Sequence, residues 1–135
     1  MTHVDTAKLV SDALRRSGCD PSRIDILDAH STIAIDFNAH PSIYVSREGS
    51  EVWLSSPAGE RDGLDYVTFD GRLLVAMSDS RAWTVLNTPL FFSCSENIVY
   101  VNGRLAAEYI ADADLFREAL NDFFDTGMLL VPVRR

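Results

Sequence analysis

Three histidines, two cysteines and a scatter of carboxylates are the residues of this chain with chemistry to offer. His3, His30 and His40 show none of the close spacings that set two imidazoles on one helical face as metal ligands. Cys19 and Cys94 form no C-x-x-C pair, so no metal site is expected. The simpler reading puts His3 at a chain terminus, His30 ahead of a strand and His40 in a loop before Pro41. No serine occupies a G-x-S-x-G elbow. Ser31 follows His30, but neighbouring side chains on a strand point to opposite faces and make a poor dyad. Cys94 lies inside an apolar run and reads as an inert core thiol. Neither G-x-x-x-x-G-K-[ST] nor G-x-G-x-x-G occurs, so no phosphate-cradling loop is expected. Asp25, Asp28 and Asp36 could approach one another as a glycosidase pair must. Yet Asp25 and Asp28 lie in a turn-rich lead-in and Asp36 falls on the polar side of its strand, where a solvated edge is the expectation. The residues assign no catalytic centre, no cofactor and no metal.

The elements that would position any site follow from periodicity. Leu9, Val10, Ala13 and Leu14 form an apolar stripe on a helix over 5–17, capped by Asp5 or Thr6 and ended at Gly18. Three alternating runs follow, 32–37, 42–46 and 51–55. They set Ile33, Ile35, Phe37, Ile43, Val45, Val52 and Leu54 on one face and leave Tyr44 and Trp53 on the other. Short connections predict an antiparallel meander. A polar loop is expected over 57–63. Tyr66, Phe69, Leu73 and Met77 share a helical face over 65–78, with Gly71 a weak point in its middle, and a buried strand over 73–77 is the alternative. Two further β runs, 90–94 and 98–101, are separated by Ser95, Glu96 and Asn97. Asn102-Gly103 reads as a hairpin turn leading to a return strand over 104–107. A last helix capped by Asp112 or Asp114 runs to about Thr126. Leu115, Phe116, Ala119, Leu120, Phe123 and Phe124 are its apolar stripe, and Gly127 is its stop. The pattern is α-βββ-α-ββ-α: an α+β class with an antiparallel sheet of about five strands and three helices, folded as one domain over 1–135.

Composition narrows the function classes. The chain has 135 residues and a formal net charge of -8. Such acidity repels a phosphate backbone and argues against nucleic acid as a partner. It would suit a basic or aggregation-prone protein partner instead. Two cysteines make no disulfide framework and read as reduced thiols of a cytosolic protein. The first residues carry no basic, then apolar, leader pattern. No apolar run nears the roughly 20 residues that cross a bilayer, so no membrane insertion is expected. Tyr44 and Trp53, facing away from the aliphatic side, are aromatics of the kind enriched at protein interfaces. Phe91, Phe92, Val99, Tyr100 and Val101 are apolar on both strand faces, more surface than three helices easily cover, and a dimer across them would bury it.

Certain runs carry a family likeness. The segments 9–14 (LVSDAL), 17–22 (SGCDPS) and 28–33 (DAHSTI) resemble the opening of the InvB/SpaK type of type III secretion chaperone, the class IB, multi-cargo kind. Pro41-Ser42-Ile43, Val52-Trp53 and the C-terminal Phe116, Ala119-Leu120-Asn121 and Phe123-Phe124 continue it. The resemblance implies a homodimer without ATPase activity in the bacterial cytoplasm. Its partners would be the N-terminal chaperone-binding segments of effector proteins, kept soluble and secretion-competent, and the export ATPase would be a further partner. Cargo held partly extended would add main-chain pairing and drop apolar side chains into surface grooves. Carried over by residue, the resemblance points to Ile33, Ile35, Ile43, Tyr44, Val52, Trp53 and Leu54 as cargo-binding, some of them necessarily core. It points to Leu74, Phe91, Phe92 and Tyr100 as the dimer interface. Gly71 and the 84–89 stretch depart from the family pattern. The alternatives are a small α+β ligand-binding or adaptor domain, marked by a closed apolar pocket in a monomer, and a small hydrolase, marked by His30 or His40 beside a carboxylate in a polar pocket.

Overall fold

A computed structural model of the chain describes residues 6–16, 24–28, 32–37, 42–60 and 71–127. The helix expected near the N-terminus, α1, spans Thr6–Arg16. Leu9, Val10, Ala13 and Leu14 are all buried along its stripe. The strands that follow are β1 (Ile24–Asp28), β2 (Thr32–Ile35), β3 (Ile43–Glu48) and β4 (Glu51–Glu60). Next come α2 (Gly71–Ser78), β5 (Phe91–Ser95) and β6 (Ile98–Arg104). A short α3 (Glu108–Ala111) leads into α4 (Ala113–Gly127).

The strands form one antiparallel sheet in the order β1-β2-β3-β4-β6-β5. Its sixth strand is β1, which occupies the lead-in read as turn-rich. Asp25 pairs with Ala34 and Asp28 with Thr32 across a register shift. Two acids among two isoleucines and a leucine are a weak strand signal, and it is the backbone pairing with β2 that makes them one. The β3–β4 connection is the expected hairpin, tightened to two residues, with Gly49 at a φ of 63°.

Three expectations are corrected. Of the loop expected over 57–63, residues 57–60 are strand, because β4 continues to Glu60 along β6, and 61–63 lie outside the described residues. A register shift between Pro57 and Gly59 absorbs the missing proline N–H. The Asn102-Gly103 pair is not a turn. Both residues sit within β6, paired with Ser55 and Leu54 of β4, and no return strand forms over 104–107. The reason is tertiary: a Cβ at Gly103 would lie 2.4 Å from Trp83 and 2.7 Å from Leu90, so the glycine admits these side chains against bare backbone. The two-residue turn is instead Glu96-Asn97, with φ of 50° and 67°, the positive pair that a tight hairpin between right-twisted strands requires. Third, Gly71 opens α2 rather than interrupting it, and Leu73 to Met77 are helical. Tyr66 and Phe69 lie outside the described residues.

One core joins the aliphatic face of the sheet to the helices. Ile33, Ile35, Ile43, Val45, Val52, Leu54 and Val101 pack in a single cluster with the stripe of α1, with Met77 of α2 and with Phe116, Ala119, Leu120 and Phe123 of α4. Leu115 and Phe124 of the expected stripe are only partly buried, and Phe124 meets Phe37 edge-on at 4.9 Å. Asp112 caps α4 through its side chain, which accepts the N–H groups of Asp114 and Leu115 at 2.8 and 3.3 Å.

The connector between α2 and β5 is tied to α4 by a polar knot. Buried Arg81 donates from Nε to Asp122 Oδ2 at 2.7 Å and from Nη2 to Thr126 Oγ1 at 3.0 Å. The Trp83 indole N–H donates to the same Asp122 oxygen at 2.7 Å. This connector positions β5 as an edge strand, and the other edge of the sheet is β1.

Candidate functional site

Residues paired across neighbouring strands share a face, so the register defines the side of the sheet away from the core. Tyr44 pairs with Ser55 and Ser46 with Trp53. Trp53 in turn pairs with Arg104 and Ser55 with Asn102. Asn102 pairs with Phe91 and Tyr100 with Ser93. Tyr44, Trp53, Tyr100 and Arg104 are half-buried on this open face, and Phe91 is 43% exposed.

Two aromatic pairs run across it. Tyr44 and Tyr100 meet edge-on with centroids 6.5 Å apart, and Trp53 and Phe91 do so at 6.0 Å. The Arg104 guanidinium lies 5.8 Å from the Trp53 ring centroid and pairs with Glu51 at 2.8 Å. That stacking is a cation–π contact whose cation is already neutralised. Below the tyrosines, Asn102 ties three strands together. Its Oδ1 accepts from Ser55 Oγ at 2.8 Å, and its Nδ2 donates to Ser93 Oγ at 2.8 Å, with the Phe91 and Tyr100 carbonyls each at 3.3 Å. The aromatic pairs and the Asn102 clamp flank a groove of about 410 Å³ lined by Thr32, Tyr44, Ser46, Ser55, Ser95, Tyr100 and Asn102.

The expected cargo residues divide between the two faces. Ile33, Ile35, Ile43, Val52 and Leu54 are core, each 4% exposed or less, with side chains turned to the helices. Tyr44 and Trp53 stand on the open face. Of the expected dimer residues, Phe91 and Phe92 are exposed at 43% and 39%, and Tyr100 lines the groove. The side chain of Leu74 lies outside the described residues. The structure joins the two groups, since Tyr44 touches Tyr100 and Trp53 touches Phe91. Other exposed apolar side chains are Val75 on α2 and Leu86, at a φ of 56°, in the turn before β5.

Sequence reasoning did not single out Ser46, Ser55, Asn102 or Arg104. Alternation with Tyr44 and Trp53 was a sufficient signal for the two serines. Nothing local signals that β6 lies against β4 and brings Asn102 and Arg104 to them. Cys94, read as a core thiol, is exposed: an edge strand leaves it only one neighbour to pack against. Asp36 is exposed and accepts a hydrogen bond from Ser42 Oγ at 2.6 Å. His30 and His40, the markers of the hydrolase reading, lie outside the described residues, as does Cys19. No helix among the described residues is long and apolar enough to cross a membrane.

Comparison with known proteins agrees with this architecture. The family model described as Invasion protein B family matches residues 18–95. Two relatives named surface presentation of antigens protein SpaK, from Salmonella typhimurium and Salmonella typhi, are each 32% identical over 136 residues, covering 93% of this chain and 92% of their own. A solved chain from the heterodimeric complex ExoU–SpcU of the type III secretion system of Pseudomonas aeruginosa is similar with a TM-score of 0.53. That match covers 91% of this chain and 95% of the other. At 11% identity this last likeness is one of fold.

Proposed function

The chain belongs to the Invasion protein B family, the InvB/SpaK type of type III secretion chaperone, and on that premise we propose that it binds the N-terminal segments of effector proteins. It keeps them soluble and secretion-competent and delivers them to the export apparatus. The family is one of chaperones and not an enzyme class, and we assign the chain no catalysis and no cofactor.

The observation that carries the cargo reading is the open sheet face. A sheet buried on one side by helices leaves the other uncovered among the described residues, and here that side presents Tyr44 and Trp53 backed by Tyr100 and Phe91. Ile33, Ile35, Ile43, Val52 and Leu54 serve the same surface from behind, holding the strands that present it. Aromatic side chains give large contact area at small entropic cost, which suits a surface that takes several partners in turn. In this reading Leu74, Phe91, Phe92 and Tyr100 bring two copies together. The cargo and dimer surfaces then share a border along β5 and β6. We place the protein in the bacterial cytoplasm, where effectors await export, with the export ATPase as its downstream contact.

Co-expression with effector N-termini encoded in the same genome tests this reading. Soluble co-purifying complexes are the expected result. Failure with every candidate, together with a monomeric mass in light scattering, would remove it.

A further inference from the structure

The net charge of -8 suggests a basic partner, but the groove on the open face has a different chemistry. Every described residue that lines it is uncharged: Thr32, Tyr44, Ser46, Ser55, Ser95, Tyr100 and Asn102. The nearby Arg104 and Glu51 neutralise each other at 2.8 Å. Asn102, 7% exposed, spends its amide on Ser55, Ser93 and two carbonyls, so it shapes the floor and offers little to a ligand. The hydroxyls of Thr32, Tyr44, Ser46, Ser95 and Tyr100 are engaged by no partner among the described residues. Each can donate one hydrogen bond and accept another.

We propose that this groove takes an uncharged, hydrogen-bonding stretch of a bound segment: Ser, Thr, Asn or Gln side chains and exposed peptide groups, rather than its lysines and arginines. The proposal rests on the cargo-binding reading above and specifies which part of the cargo this site selects. The physical reason is complementarity. Hydroxyls that donate and accept match amides and alcohols, which do the same. An ammonium or guanidinium in the groove would give up water and meet no countercharge. The Tyr44 and Tyr100 rings add an apolar wall against which an extended segment can lie flat. The acidic charge of the chain, on this view, serves solubility, and the groove supplies selectivity by hydrogen bonding.

The test uses the full chain and two synthetic peptides of equal length and equal apolar content. One carries Ser, Asn and Gln at alternate positions, and the other carries Lys and Arg there. Titration calorimetry at about 0.05 M and about 0.5 M salt spans the range over which exposed charge attraction is screened. The neutral peptide is expected to bind with an affinity that changes less than about twofold between the two. The double variant Tyr44→Phe with Tyr100→Phe keeps both rings and removes both hydroxyls. It is expected to weaken the neutral peptide at least about fivefold, with the thermal midpoint unchanged. Tighter binding of the basic peptide, lost at high salt, would overturn the proposal, and so would binding of neither peptide. A change in oligomeric mass in the double variant without a change in peptide affinity would assign the groove to a second copy and overturn it too. Recovery of effectors by co-expression is read separately, so the groove's selectivity can fail while the chaperone function stands.

Discussion

Gly103 shows how one residue sets a local outcome that its neighbours in sequence do not announce. It follows Asn102, and the pair has the composition of a tight hairpin turn. In the folded chain the glycine is extended and lies under the Trp83 ring, with Leu90 close by. Replacing it with alanine puts a methyl group where Trp83 and Leu90 already sit. Gly103→Ala is therefore expected to destabilise the fold by about 1–3 kcal/mol, the usual range for overpacking a tight core. A lower urea midpoint at unchanged m-value would register it. Trp83 has little freedom to yield, because its N–H is fixed on Asp122 and its ring stands edge-on to Phe123 at 6.1 Å. An unchanged midpoint would mean that the tryptophan can move, and that the knot between the connector and α4 is looser than its hydrogen bonds imply.

At the scale of elements, the β5–β6 hairpin rests on little besides its own strand pairing. All of β5 is exposed, and its pairing with β6 is its main attachment. The turn therefore matters more here than in the β3–β4 hairpin, whose strands are buried on one face. Asn97 holds a φ of 67°, which asparagine accepts and a β-branched residue resists. Asn97→Val is expected to cost about 1–2 kcal/mol and to raise amide exchange in β5 before the rest of the sheet. Equal exchange across all strands would show that the hairpin opens only with the whole fold. The elements most legible beforehand were those with strong periodicity. The stripes of α1 and α4 and the alternation of β2, β3 and the first half of β4 follow from residue spacing alone. β1, the far half of β4 and α3 were not legible. Acids, a proline and a glycine weaken the local signal there, and pairing or packing with a distant segment overrides it.

For the whole molecule, the open face and the β5 edge decide what the chain can associate with. Exposed Phe91 and Phe92 on an unpaired edge are a liability unless something covers them. If a second copy does so, Phe91→Glu with Phe92→Glu should halve the mass in light scattering at unchanged helix and strand content. A dimeric double variant would move the self-association surface elsewhere, with α2 and its exposed Val75 the next place to look. The contact of Trp53 with Phe91 adds a further consequence. Disturbing the proposed dimer surface should perturb the proposed cargo surface beside it, so effector recovery and oligomeric mass should be measured on the same variant.

The residue pattern by itself determined the α+β class, the one-sided burial of the first strands, the outward placement of Tyr44 and Trp53 and the likeness to a secretion chaperone family. These depend on alternation, helical spacing and motif order, all of which are local in the chain. Only the tertiary structure decided that β6 lies between β4 and β5. That one placement brings Tyr100, Asn102 and Arg104 beside Tyr44, Ser55 and Trp53. A hydroxyl-lined groove made by residues nearly fifty positions apart (Ser55 and Asn102 differ by 47) has no signature in either segment. Strand order is chosen by which long-range pairing buries the most apolar surface, and a local pattern does not contain that choice.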